Sequence, residues 1–210
     1  MILDDYDNVQ AINTGESRKL VAGGYVCKVA SVRTQGTKST NKPMLVLAID
    51  ITEGEFAGYF KKKFENDQKF NEDFAKWSNN AVYYQPIFDS SGKISSYFKG
   101  LLTCIEKSNN GFKAIQKDSN GKNRFDENLL KGKLCGFIFG EEEYMRNDGS
   151  IAKTVRVKFP RPADDIRAGN FDIPKVKEIE KKQNSKSNAK TDEHGIFKNS
   201  EDVEENDLPF

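Results

Sequence analysis

The sequence predicts a mainly β domain: a five-stranded small barrel with one helix between its third and fourth strands, followed by a disordered acidic C-terminal tail. Three observations carry this. Short runs rich in β-branched and aromatic residues recur between clusters of Gly, Asn, Ser and Pro. One stretch, 94–107, repeats its apolar residues at helical spacing. From Lys175 onward the chain has almost nothing apolar to bury.

Residues 1–22 are polar with scattered apolar positions, and 19–24 lead into the first strand. That strand is expected over Tyr25 to Thr34, rich in β-branched residues. Gln35 to Lys42 is wholly polar and reads as a loop. A second strand runs from Met44 to Thr52, with Leu45, Leu47, Ile49 and Ile51 alternating onto one face. Gly54 and Gly58 mark a turn, and a third strand is expected over Tyr59 to Glu65. It would put Phe60 and Phe64 on one face and Tyr59, Lys61 and Lys63 on the other.

Residues 66–92 are mixed and read as irregular, with Trp77 and Tyr84 among polar neighbours. The helix follows, with Ile94, Phe98, Leu101, Leu102 and Ile105 on one side and Asn109-Asn110-Gly111 at its end. After a polar stretch with a turn at Asn120-Gly121, a fourth strand is expected from Lys133 to Met145. Asn147-Asp148-Gly149-Ser150 is a strong hairpin signal. A fifth strand, Ile151 to Phe159, would turn Val155, Val157 and Phe159 inward and Thr154, Arg156 and Lys158 outward. Pro160 and Pro162 end the sheet. The division is a domain over 1–174, a linker over 175–200 and a tip over 201–210.

At 210 residues, 31% charged and 36% hydrophobic, the chain suits one domain with a tail, and its 11% aromatic share argues against disorder throughout. No apolar run is long enough to span a membrane, and Met1-Ile2-Leu3 gives way at once to Asp4 and Asp5, so neither a membrane anchor nor a signal peptide is expected. Cys27, Cys104 and Cys135 are odd in number and lie in apolar contexts, which reads as reduced core residues of a cytoplasmic protein. No metal and no cofactor is expected: there is no Cys-x-x-Cys pair, and the lone His194 is in the tail.

Three strands, a helix and two strands is the element order of the OB-fold. In that fold, ligands cross the second and third strands, framed by the loops after the first and fourth. Lys38 and Lys42 lie in the first of those loops here, and Arg146 and Lys153 flank the second. Coating a single strand takes cations at phosphate spacing and flat rings on which bases stack. Tyr25 and Arg33 on the first strand, Tyr59, Lys61 and Lys63 on the third, and Arg156 and Lys158 on the fifth are the candidates, with Trp77 and Tyr84 as rings left exposed by an irregular segment. Against each stands the plain alternative of a solvated Lys or a core Trp.

The last ten residues are of opposite character. Glu201, Asp202, Glu204, Glu205 and Asp207 are acidic and none is basic, so a chain of formal charge +1 carries +6 over residues 1–200. An acidic end on a basic body implies one surface for an anion and another for a cation. Asp207-Leu208-Pro209-Phe210 adds an apolar anchor and a carboxylate that a small basic groove can capture. This end resembles the C-terminal tip of bacterial and phage single-stranded DNA-binding proteins, although it has fewer consecutive Asp residues than the usual family form. The resemblance covers only the tip. It implies an OB-fold body that coats single-stranded DNA, and a tip that recruits replication and recombination proteins in the bacterial host cytoplasm. It leaves a homo-oligomer open.

Two other classes remain. One is a protein-only adaptor barrel in a replication or recombination complex. The other is a metal-dependent nuclease on an OB-like barrel, for which Asp50 and Glu65 are the carboxylates to consider. The expectation is no enzyme, since there is no phosphate-binding glycine loop, no metal-ligand cluster and no His-based nucleophile arrangement.

Overall fold

A computed structural model describes residues 18–37, 40–70, 72–176 and 178. Its centre is a five-stranded antiparallel sheet in the order β3-β2-β1-β6-β7, formed by β1 (Gly23–Gly36), β2 (Pro43–Ile51), β3 (Val82–Pro86), β6 (Leu134–Met145) and β7 (Ile151–Arg161). A small hairpin of β4 (Ile115–Lys117) and β5 (Asn123–Phe125) stands apart. Among the described residues three α-helices join the sheet: α1 (Tyr59–Phe70), α2 (Ser96–Ser108) and α3 (Ala163–Arg167). The mainly β class and the number of strands in the main sheet agree with the sequence. Closure does not: among the described residues β3 and β7 share no ladder, so the sheet is open at both edges.

Leu45, Leu47, Ile49 and Ile51 are fully buried as their alternation implies, but Met44, Val46 and Ala48 are buried too, so β2 is covered on both faces. α2 drives Phe98, Leu101, Leu102 and Ile105 into the same core. Asn109 ends that helix and ties it to the sheet. Its side-chain amide donates to the Ile105 and Leu134 carbonyls at 2.7 and 2.8 Å, and its oxygen accepts from the Leu134 N–H at 3.0 Å.

The expected third strand, Tyr59 to Glu65, is instead the first half of α1. A spacing of four between Phe60 and Phe64 fits one face of a strand and one face of a helix equally well, so that pair does not decide. Other features do. Gly58 takes a φ of +74°, which turns the chain out of the sheet. The buried Asp50 carboxylate then accepts the N–H groups of Phe60 and Lys61, which satisfies donors that a helix leaves open in its first turn. Lys61–Glu65 and Lys63–Asp67 stand four apart, at helical spacing. None of the residues 59–65 is β-branched, which removes the usual preference for a strand.

The third strand of the sheet is β3, in the stretch expected to be irregular. It is five residues long and ends at Pro86, which an edge strand tolerates. Trp77, just before it, is 6% exposed. Its indole N–H donates to the Ile49 carbonyl at 3.3 Å, and its ring lies 5.7 Å from that of Phe64. It is a core residue, not a free stacking platform.

β7 departs from simple alternation. Ile138 pairs with Phe159 and Phe139 with Val157, so Lys158 is an extra residue in the ladder. Val157 points into the core, while Phe159, expected inward, is turned out and 52% exposed. Beyond β7 the chain crosses the face of β1 and β6 that carries Val26 and Ile138, where Ala163 and Ile166 complete a second small core. Glycines make this close approach feasible. A Cβ at Gly136 would lie 2.4 Å from Ile166, one at Gly24 2.6 Å from the Phe171 ring, and one at Gly140 2.9 Å from Pro174. The linker from 175 and the tip from 201 fall almost wholly outside the described residues.

Candidate nucleic-acid interface

The thirteen basic and aromatic candidates do not form one surface. Arg33 pairs with Val46 across β1 and β2, and Val46 pairs with Tyr84 across β2 and β3, so Arg33 and Tyr84 flank one residue on one face of the sheet. β3 and β7 are each two antiparallel steps from β1, so they run in the same direction. Asn80, just before β3, donates its amide to the Thr154 hydroxyl of β7 at 2.7 Å, which draws the two edges together. From that contact Tyr84 lies ahead on one edge and Arg156 on the other.

Electrostatics agree with this placement. Burial raises the Tyr84 phenol, while Arg156 and Arg33 are both close enough to pull it back. The Glu142 carboxylate, opposite Thr154 on β6, accepts from Lys158 and from Arg156, the latter at 3.5 Å. Burial pushes the Glu142 carboxyl up, but the hydrogen bond and charge of Lys158 together with Arg156 outweigh it and hold the group below its ordinary value. Arg33 differs: its Nε and Nη2 are enclosed and have no acceptor among the described residues.

A second group lies elsewhere. Tyr25 packs edge-on against Phe56 at 5.8 Å and Phe139 at 5.5 Å, and its hydroxyl donates to the Val21 carbonyl. Tyr59 packs against the same Phe56 at 5.9 Å. Lys61 and Lys63 stand on the exposed side of α1, paired with Glu65 at 3.6 Å and Asp67 at 3.5 Å. Arg33 is eight residues along β1 from Tyr25. That is roughly 25 Å of strand at about 3.3 Å per residue. The strand expected to carry Tyr59, Lys61 and Lys63 on one face does not exist.

Of the loop candidates, Lys42 donates to the Asp89 and Ser90 carbonyls at 3.4 and 3.3 Å, and Lys38 lies outside the described residues. Arg146 and Lys153 sit on the outer part of the β6–β7 hairpin, where β6 pairs with β7 alone. The same projection exposes Tyr144, Met145 and Ile151. These three and Glu142 are the residues that sequence reasoning passed over. Counting back from the Asn147–Gly149 turn would have placed Glu142 opposite Thr154 and diagonal to Arg156.

Asp50 and Glu65, the carboxylates considered for a nuclease, are engaged in helix contacts: Asp50 holds the first turn of α1 and Glu65 faces Lys61. Among the described residues no group of three or more His, Cys, Asp or Glu is placed to hold a metal ion, and no helix is long and apolar enough to cross a membrane. Cys27, Cys104 and Cys135 are unbonded thiols, and burial raises all three. The tip residues Asp207, Leu208, Pro209 and Phe210 lie outside the described residues. No protein-family profile matches the chain, and no curated protein matches it.

Proposed function

We propose that the chain is a single-stranded DNA-binding protein of the OB-fold kind, whose body coats the strand with little sequence preference and whose acidic tip recruits replication or recombination proteins. The observation that carries this is the juxtaposition of Tyr84 with Arg33 and Arg156: one ring between two guanidinium groups, drawn from three strands. A ring offers a face to any base, and cations beside it meet the phosphates, which is the chemistry of sequence-tolerant binding. The strand order supports the reading. An OB barrel is a partly open five-stranded structure, and the order β3-β2-β1-β6-β7 with a helix after the third sheet strand is compatible with such a structure.

The tip reading rests on the sequence of 201–210 alone. The protein-only adaptor is favoured by the exposed Tyr144, Met145 and Ile151 at the hairpin end, an apolar group suited to a protein surface. Polarisation titration of full-length protein with a labelled oligo-dT at two salt concentrations separates the two readings. Binding that weakens with salt supports the single-strand reading, since each phosphate contact contributes about −0.7 to the slope of log K against log salt. No retention at either salt leaves the adaptor. Loss of the oligonucleotide in magnesium would point to the nuclease.

A further inference from the structure

Glu142 is the carboxylate shared by Arg156 and Lys158, and the three side chains are largely enclosed. Arg33, the other cation beside Tyr84, has its Nε and Nη2 shut away from water with no acceptor among the described residues. Those two nitrogens form the edge of a guanidinium that grips two oxygens of a carboxylate or phosphate in parallel. A buried donor left unpaired is costly, so an acceptor that reached this edge would satisfy two donors at once. We propose that Arg33 on one side of Tyr84 and the Arg156–Lys158 pair on the other form a seat for backbone phosphates of a single strand, and that Glu142 stands in for the phosphate on the Arg156–Lys158 side in the free protein.

Three features argue for this. Two cations against one carboxylate leave the Arg156–Lys158 side a net positive charge that a second anion can neutralise. Carboxylate and phosphate present the same paired oxygens to these donors, so one can replace the other without moving the sheet. The Lys158 bulge sets its side chain and that of Arg156 against the same acceptor, and such bulges re-aim side chains next to binding sites. It follows that Glu142 limits affinity. A strand must displace it or tolerate its charge, and removing that charge should strengthen binding.

This inference rests on the single-strand reading above, and the test separates the two. The full chain and its E142Q, R33Q and R33K variants are titrated with labelled oligo-dT at two salt concentrations, and the melting temperature of each is measured with and without inorganic tripolyphosphate. E142Q is expected to bind roughly threefold to tenfold tighter, the scale of one partly screened charge. R33Q is expected to bind weaker, with a salt slope flatter by about 0.7. R33K is expected to recover the slope but not the affinity, because an ammonium lacks the fork. E142Q binding no tighter than the native chain, or R33Q binding unchanged, overturns the seat. Should E142Q not fold, the two Arg33 variants decide, since among the described residues Arg33 Nε and Nη2 make no hydrogen bond that their loss could break. Failure of the native chain to bind oligo-dT removes the single-strand reading. The seat then stands if tripolyphosphate stabilises the native chain and not R33Q, and falls if it stabilises neither.

Discussion

Asp50, buried in β2, accepts the backbone N–H of Phe60 through Oδ1 at 3.1 Å, and the same oxygen takes that of Lys61 at 3.2 Å. A strand residue thus caps the helix that follows it. Burial raises the Asp50 carboxyl above its ordinary value, against the opposing pull of the Lys61, Phe60 and Ile51 N–H groups. A raised carboxyl favours folding in its protonated form. The stability it contributes is full below the unfolded value, near 3.9, and is lost as pH rises through the folded one. Asp50→Asn keeps the acceptor without the charge, so it should equal or exceed the native stability at pH 7, and lose that advantage at pH 4. Asp50→Ala loses the acceptor and should cost about 1 kcal/mol at pH 7. Denaturant unfolding at both pH values checks this; an Asn variant as unstable as the Ala variant at pH 7 would contradict it.

Trp77 should report on folding and not on binding. Its indole is buried and donates to Ile49. Trp77→Ala should cost about 3–5 kcal/mol of stability, and the emission of native Trp77 should stay unchanged when oligo-dT is added. Strong quenching by the oligonucleotide would mean that the ring reaches a base after all.

Lys61 and Lys63 separate the two cationic groups. Both are exposed and paired along α1, and such surface pairs contribute about 0–1 kcal/mol. Replacing both by Ala should leave the salt slope of oligo-dT binding as it is, whereas replacing Arg33 and Arg156 by Gln should flatten it by about 0.7 for each phosphate left without its cation. The reverse ranking would move the interface to α1.

Gly136 should not tolerate a side chain. A Cβ there would sit 2.4 Å from Ile166 and 2.8 Å from the Arg161 carbonyl oxygen. Gly136→Ala should therefore lower stability by about 1–3 kcal/mol, read as a shift of the denaturation midpoint. Ala at Gly100, where nothing lies within 4 Å, is the control and should not destabilise.

Deleting 201–210 should leave the melting temperature unchanged and abolish capture of replication proteins in a pull-down. The described chain passes Gly140 and Lys158 at Pro174, and the tip further along the sequence carries five acidic residues. Its removal should tighten oligo-dT binding modestly at low salt, where charge attraction is least screened. A truncated form that captures the same partners would reduce the tip to a solubility tail.

Alternation, helical spacing and turn residues are local signals, and they were enough for the class of the fold, four of its five main strands, the helix α2 and the hairpin at Asn147–Ser150. The acidic end and the positive body were legible too, because they are sums over composition. Three things depended on residues distant in the chain. Phe60 and Phe64 fit both periods, and the choice of helix depended on Asp50, ten residues earlier, reaching the Phe60 N–H. Trp77 became core because β2 offered it the Ile49 carbonyl. Arg33, Tyr84 and Arg156 are far apart in the chain, and only the register of four strands and the approach of β7 to β3 bring them together. A strand's own residues fix which face each side chain takes, but which strands meet is set by pairing and burial over the whole chain.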